Sequence, residues 1–478
     1  MKRLALPSED VLNGLPPVVE IPPALESSEE SRSSVSDVGA HARWGMMRTV
    51  GLLFSPLEHQ AMLVAGGIGV LERQARQLRR AGIDELYAVD LVPLTPVPAG
   101  VKAITAAALP GHVSAEDRVV IIAAGVILDE RAIAAVLAAT GPALLVADAA
   151  RPGAVGVERL DAATFAAGMM ALPGKIVRGT AATIGEWDLG STLIRAAWLD
   201  PATQRIDFAS LPLYAPARRR DVALIWAQPQ SPDEARAATD ILVSAAQKGC
   251  LDWPARFIHP WPEDMLVKLL APTRITPNMV TLGTGIIGIA AGFAFGFGYL
   301  WLGLVLALIT GPLDGVDGKL ARTRVEFSKW GDLEHLVDKL LEYGWYLAIA
   351  WHFTSVSGSA LPFAIAGFII LPAIAEAVQG EFFRRLTGVQ LDDAGAAERR
   401  IRLIAGRRNT FLWTWLPFAI FGLWFEGFVA MAVYSVFTTG VAQWRFYKRL
   451  SAYGRAHGDR IAANYRATAY TFLPPTGL

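Results

Sequence analysis

The chain divides by the spacing of its apolar positions. Residues 1–46 show no period, and Pro, Ser and Glu dominate in PPVVEIPP and ESSEESRSSVSD. Such a stretch buries too little apolar surface to offset its ordering entropy, so a disordered tail is expected. From 47 to 250, short apolar runs alternate with helix-period stretches. TVGLLF (49–54), ELYAVD (85–90), RVVIIAAG (118–125) and ALLVAD (143–148) predict strands. VLERQARQLRRAG (70–82) and DERAIAAVLAATG (129–141) predict helices ending on Gly82 and Gly141. This alternation predicts a soluble α/β domain with a mainly parallel, doubly wound sheet. The stretch 220–249 starts as a strand, continues as a helix and closes that domain.

Beyond 250 the pattern changes. Residues 251–275 mix aromatic, Pro and basic positions, which suits a connector with a short helix in a membrane interface. Trp253, Trp261, Arg256 and Lys268 suit the headgroup level. Apolar runs follow at 279–297, 299–313, 336–354, 360–379, 410–425 and 427–444. A span takes about 20 residues. The expectation is an all-α polytopic membrane domain of about six transmembrane helices over 276–450, then a tail over 451–478.

Charge orients these runs. Lys319, Arg322, Arg324 and Lys329 follow the second; Arg384, Arg385, Arg399, Arg400, Arg402, Arg407 and Arg408 follow the fourth; Arg445, Lys448 and Arg449 follow the sixth. The other connections carry no Lys or Arg. The positive-inside rule then puts the basic loops and both termini in the cytoplasm, for a multi-pass protein of the inner (plasma) membrane. Lys+Arg and Asp+Glu both total 44, and this balance argues against a nucleic-acid partner. Cys250 stands alone, which excludes a disulfide or thiolate metal site within one chain. The first residues carry charge without an apolar core, so no cleavable signal peptide is expected.

Charged residues at span depth are costly and point to function. They gather in DGVDGKLARTRVEFSKWGDLEHLVD (314–338). Asp314 and Asp317 sit three apart, and Glu334 and Asp338 four apart, so each pair can share a helix face. Two helices presenting two carboxylates each can hold a hard divalent cation. Gly315 and Gly318 remove bulk beside the acids, so that a phosphate or a neighbouring backbone can come close. Arg322, about one turn beyond Gly318, can grip phosphate oxygens.

These residues also carry a resemblance. Asp314, Asp317, Gly318, Ala321, Arg322 and Gly331 match the signature of the CDP-alcohol phosphotransferases, D-x-x-D-G-x-x-A-R, eight residues, then G-x-x-x-D-x-x-x-D. Strict spacing places the last two aspartates at His335 and Lys339, whereas a one-residue contraction brings in Glu334 and Asp338. The stretch TPNMVT (276–281) matches the family at its first span. The resemblance implies Mg²⁺ or Mn²⁺ held by Asp314, Asp317, Glu334 and Asp338, with His335 as the rival ligand. It implies a CDP-linked donor held by Asn278, Thr281, Gly318, Ala321 and Arg322, with Asp338 as the base and CMP as the leaving group. It further implies a homodimer through the membrane helices. Arg384, Arg385 and Arg408 are the candidates for a polyol or polyol-phosphate acceptor. The alternative for that loop is positive-inside charge meeting membrane lipids.

The front of the chain resembles another family. VAGGIGVLERQARQLRRAGIDELYAV and RVVIIAAGVILDERAIAAVL are similar to a sugar-nucleotidyltransferase domain, which implies a Rossmann-like fold. That family's glycine-rich loop and lysine are not visible upstream. Gly125 or Val126 falls where its metal-binding aspartate belongs. The domain therefore reads as degenerate, binding a ligand, docking or regulating, with AGGIG (65–69) as a phosphate-loop candidate. The pairing of the two domains resembles the bifunctional inositol-phosphate cytidylyltransferase/phosphodiester synthases. Two substrate classes follow: CDP-diacylglycerol with a polar alcohol, or a CDP-polyol with a polyol phosphate. A non-catalytic membrane scaffold or receptor is the alternative from a different class. The intramembrane acids speak against it. A transporter fits less well, since the acids cluster at one face and no inverted repeat is visible.

Overall fold

The computed structural model describes residues 44–468 except 56, 94, 150–155 and 328–330, and the side chains of 331–336 and 460–468 also lie outside the described part. The expected tail lies outside the described residues as far as 43. Trp44 already belongs to the core, with the Arg118 guanidinium 5.2 Å from its ring.

The front domain is built on strands β1 (Thr49–Phe54), β2 (Leu86–Val89), β3 (Val101–Ile104), β4 (Arg118–Ile122), β5 (Ala143–Asp148), β6 (Thr164–Pro173) and β7 (Gln204–Asp207). They stand in the order β7-β5-β6-β4-β1-β2-β3, with Glu158–Arg159 paired beside β6. All four expected strands form. The sheet is mainly parallel, as expected, and is made mixed by β6, which runs antiparallel to both β4 and β5. TFAAGMMALP gave no strand signal, since it lacks β-branched residues beyond Thr164 and its middle is buried throughout. Helices α1 (Val70–Arg80) and α2 (Glu130–Ala138) cover one face, and α3 (Gly174–Thr183) and α4 (Leu189–Leu199) the other. The end of α1 follows the expected glycine stop: Gly82 takes φ +86° and the Ile83 N–H donates to the Leu78 carbonyl. Helix α2 stops earlier than expected, at Ala138, because Ala139 turns extended. Helix α5 (Pro232–Ala245) starts on a Ser231 cap and runs out of the domain.

The remaining elements are α6 (Trp253–Phe257), α7 (Pro260–Leu270), α8 (Pro277–Gly296), α9 (Leu300–Arg324), α10 (Gly331–Ser357), α11 (Leu361–Thr387), α12 (Ala396–Ile404), α13 (Arg408–Ile420) and α14 (Trp424–Thr468). Every expected apolar run is helical. Among the described residues, however, four helices rather than six are long and apolar enough to cross a membrane: α8, α9, α11 and α14. Helix α13 has 13 residues, about 20 Å at 1.5 Å per residue and short of a hydrocarbon core of roughly 30 Å. Helix α14 continues past 450, where a tail was expected, with a break at His457. Phe295, Leu304, Trp345, Trp415 and Phe428 form the interior, while Ile286, Phe293, Leu302, Trp351 and Phe368 face outward. Apolar side chains on both inner and outer faces suit a lipid surround.

The connector is more than an interfacial helix. Phe257, Trp261, Met265 and Leu269 form an exposed apolar stripe, as that reading requires. The opposite face of α7 packs on α9. Lys319 of α9 is 1% exposed and donates to Asp264 and Gln247, with Glu263 at 3.6 Å. Burial holds the Glu263 carboxyl above its ordinary range, against the pull of Lys319. Arg324 donates to the carbonyls of Ile275, at 2.6 Å, and Thr273. Lys319, Arg322 and Arg324 were expected in a cytoplasmic loop. They form the last turns of α9, which ends only at Val325, φ 52°. Lys and Arg favour helix, and the connector supplies their acceptors. Lys329 lies outside the described residues.

The two domains dock at two edges. At one, the AGGIG turn meets the connector. Gly66 N–H donates to Thr239 Oγ1 at 2.9 Å, and a Cβ at Gly67 (φ +83°) would collide with the Ala271 carbonyl. This turn is a docking element, not a phosphate loop. Arg73 donates to the Thr323 carbonyl beside it. At the other edge Tyr214 and Arg219 bond to Asp393 and Asp392, and Cys250 Sγ donates to the Asp392 carbonyl at 3.0 Å. Burial pushes the Cys250 thiol up to about 11, consistent with a structural role.

Candidate active site

The C-terminal half of α9 carries Asp314, Asp317, Gly318, Ala321 and Arg322 on one side of the helix. They open onto a cavity of about 460 Å³ together with Asn278 and Thr281 of α8 and Asp338 of α10. The expected donor set is thus brought together by three helices. Thr281 Oγ1 donates to Asp317 Oδ2 at 2.7 Å, and the Gly318 N–H donates to the other oxygen. Asp317 is thereby oriented while nearly buried. Asp338 lines the same cavity as Asp314. Glu334 and its rival His335 lie outside the described side chains.

Three carboxylates lining one low-dielectric cavity repel unless a cation or proton intervenes. Oxygen donors of this kind suit a hard divalent ion. Among the described residues no three His, Cys, Asp or Glu side chains already converge on one point. Part of the compensation comes from Arg408, the first residue of α13, whose guanidinium donates to Asp314 Oδ2 at 2.7 Å. Arg408 therefore sits with the acids, away from Arg384 and Arg385. It lies there because α13 packs on α9, which no sequence spacing reveals.

Arg384 and Arg385 close α11 and both pair with Glu381 at 2.7 Å. Arg384 lines a neighbouring cavity of about 330 Å³ with Arg219, Arg402, Arg407 and Arg445. Arg402 of α12 borders both cavities. Its guanidinium lies 3.2 Å from Asp392 and 3.7 Å from Asp252, and burial lowers it to about 10.

The motif glycines admit protein groups. A Cβ at Gly315 would run into Glu263, and one at Gly318 would stand 3.1 Å from the Arg322 guanidinium. Arg322 itself donates from Nε to the Ala246 carbonyl at 2.7 Å, which fixes it between α9 and the end of α5.

Sequence reasoning missed the cavity's other half. Lys248, Asp252, His259, Glu263 and Asn409 also line it. Asp252 caps α6 by accepting from the Ala255 N–H at 3.1 Å. His259 is buried against Gly311, and burial lowers it to about 4, so it is neutral near pH 7. The only available signal was polar residues in a stretch read as interfacial.

The comparisons agree with this geometry. Residues 274–442 match the family model of the CDP-alcohol phosphatidyltransferases. Similar curated proteins include one described as a bifunctional IPC transferase and DIPP synthase from Aquifex aeolicus, 26% identical over 211 residues, 44% of this chain and 47% of that one. Proteins of the same description from Thermococcus kodakarensis and Archaeoglobus fulgidus are 25% and 27% identical, over 41% and 34% of this chain and 44% and 33% of theirs. The matches thus span less than half the length of these relatives. The motif, the cavity it lines and the match over the same residues agree, and the C-terminal part of this chain is a CDP-alcohol phosphatidyltransferase domain.

Proposed function

We propose that this chain transfers a substituted phosphate from a CDP-linked donor to an alcohol and releases CMP. The observation that supports it most is the convergence of Asn278, Thr281, Asp314, Asp317, Arg322 and Asp338 on one cavity. The acceptor hydroxyl oxygen bonds to the β-phosphorus as the bond from that phosphorus to the bridging oxygen breaks. CMP leaves with that oxygen. Asp338 takes the hydroxyl proton, and Thr281 holds Asp317 in place. Arg322 supplies fixed positive charge where the diphosphate lies. A divalent Mg²⁺ or Mn²⁺, when bound, would neutralise the diphosphate and the departing CMP; Asp314, Asp317, Asp338 and Glu334 are the residues to hold it.

The acceptor we favour is a polyol phosphate. The cavity bordering the first through Arg402 sets five arginines against Glu376, Glu381, Asp392 and Glu398, a small positive excess that suits an anion, with Arg384 in its wall and Arg385 paired with Glu381. The relatives' description points the same way. Phospholipid synthesis from CDP-diacylglycerol and a polar alcohol is the second reading, favoured by the outward apolar faces of α8 and α11. The protein sits in the inner (plasma) membrane with this cavity on the cytoplasmic side, next to the front domain, and pairs as a homodimer through its membrane helices.

The test is CMP release by the full chain in nanodiscs with Mg²⁺, offering CDP-diacylglycerol or CDP-inositol with polyols and polyol phosphates. Release that requires Asp317 and one donor establishes the reaction and selects the substrate class. A folded, metal-supplied protein that releases no CMP from any pair supports the scaffold reading instead.

A further inference from the structure

A separate chamber of about 600 Å³ lies between the front domain and the end of α9. Its lining includes Arg73 and Arg80 of α1, Arg218 from the segment before α5, and Arg322 of α9. Two carboxylates stand against these four guanidinium groups. Asp129 is engaged by Arg131 at 2.8 Å. Glu130 accepts from Arg218 at 3.1 Å and lies 3.7 Å from Arg80. Positive charge is therefore in excess.

Arg218 is 8% exposed, yet its Nε and Nη1 have no hydrogen-bond partner among the described residues. Arg73 is 2% exposed, bonds only to neutral carbonyls, and leaves its Nε without a partner. Burial pushes the Arg73 guanidinium down to about 9. Buried donors left unmatched cost about 1–3 kcal/mol each, more when charged. A phosphate group presents oxygens in the arrangement that a guanidinium fork binds in pairs.

We propose that this interdomain chamber is a binding site for a phosphate anion, either inorganic phosphate or a phosphate monoester, held by Arg218, Arg73 and Arg80. Arg322 borders both this chamber and the transfer cavity. If the transfer reaction is as proposed above, an occupant here competes for the guanidinium that faces the donor, and so lowers donor affinity.

The experiment is calorimetric titration of inorganic phosphate, and separately of CMP, into the full chain in nanodiscs without divalent cation. Arg218→Met is expected to weaken phosphate binding by about tenfold or more, and Arg80→Met by about threefold. Arg80 is 45% exposed, so its variant leaves the fold standing and decides the matter alone if Arg218→Met does not fold. CMP also occupies the transfer cavity in the reaction proposed above, so only the part of its binding lost in Arg80→Met reports on this chamber: a loss as large as that for phosphate supports a site for monoesters, and no loss supports one for bare phosphate. Undiminished phosphate binding in Arg80→Met and in any folded Arg218→Met, or no saturable binding to the unaltered chain below about 10 mM, overturns the proposal. The deciding readout is phosphate binding and its loss in the variants, so it stands or falls independently of CMP release.

Discussion

The turn at 65–69 and the stretch at 314–318 look alike on paper. Both place glycines beside a helix, where a phosphate can come close. In the molecule they do different things. The space beside Gly67 is taken by the Ala271 carbonyl, a neutral backbone group of the connector. The space beside Gly318 is taken by the Arg322 guanidinium, which itself faces a cavity lined with acids. A glycine marks where something comes close. The chemistry of what comes close is set by neighbours distant in sequence.

Removing the acid on the working side has the largest expected effect. Asp317→Asn keeps the shape and the Thr281 contact but removes one full negative charge from the carboxylates available for a cation. CMP release should fall by about a hundredfold or more while the thermal midpoint barely moves. Retained turnover would remove Asp317 from the reaction.

Next is the anchor that holds the connector in the cavity. Lys319→Met leaves Glu263 and Asp264 without their buried cation. Loss of one partner from a buried pair costs about 3–5 kcal/mol. The variant should melt well below the parent in detergent, and Lys319→Arg should recover part of the difference.

The glycine comparison itself can be tested by paired substitutions. Gly67→Ala faces a backbone carbonyl in a left-handed conformation, so stability should drop by about 1–3 kcal/mol and cleavage between the domains should quicken. Gly318→Ala faces a side chain that can shift. It should cost less stability and lower CMP release by about tenfold through displaced Arg322. The reverse ranking in melting would break the distinction drawn here.

The smallest effect concerns His259. Burial pushes it down to about 4 in the fold, against an ordinary 6.5. Between those values the unfolded chain binds a proton that the folded one does not, so stability falls as pH drops from about 6.5 to 4. His259→Gln should flatten the fall in thermal midpoint between pH 7 and pH 5. An unchanged slope would place the acid sensitivity elsewhere.

Much of the architecture was legible locally. The Gly82 stop and the four predicted strands follow from residues within a few positions of one another. Strand β6 was not legible, because small apolar residues fit a strand only once neighbours cover both faces. Asp314, Asp317, Gly318, Ala321 and Arg322 were legible for the same reason as the helix that carries them: their spacing puts them on one side. The pairing of Arg408 with Asp314 was not legible, since loop charge records topology and not the packing of α13 on α9.

The sequence by itself determined the helical runs, the α/β front, and the carboxylates and arginine on α9. Each depends on a short period or a motif, and short-range geometry is carried by the chain itself. Only the tertiary structure decided that Lys319 and Arg324 are buried anchors, that AGGIG docks rather than binds, and that Asp252, His259 and Glu263 complete the cavity. Those outcomes depend on which group fills the space beside a residue, and contacts across large sequence separations are fixed by packing alone.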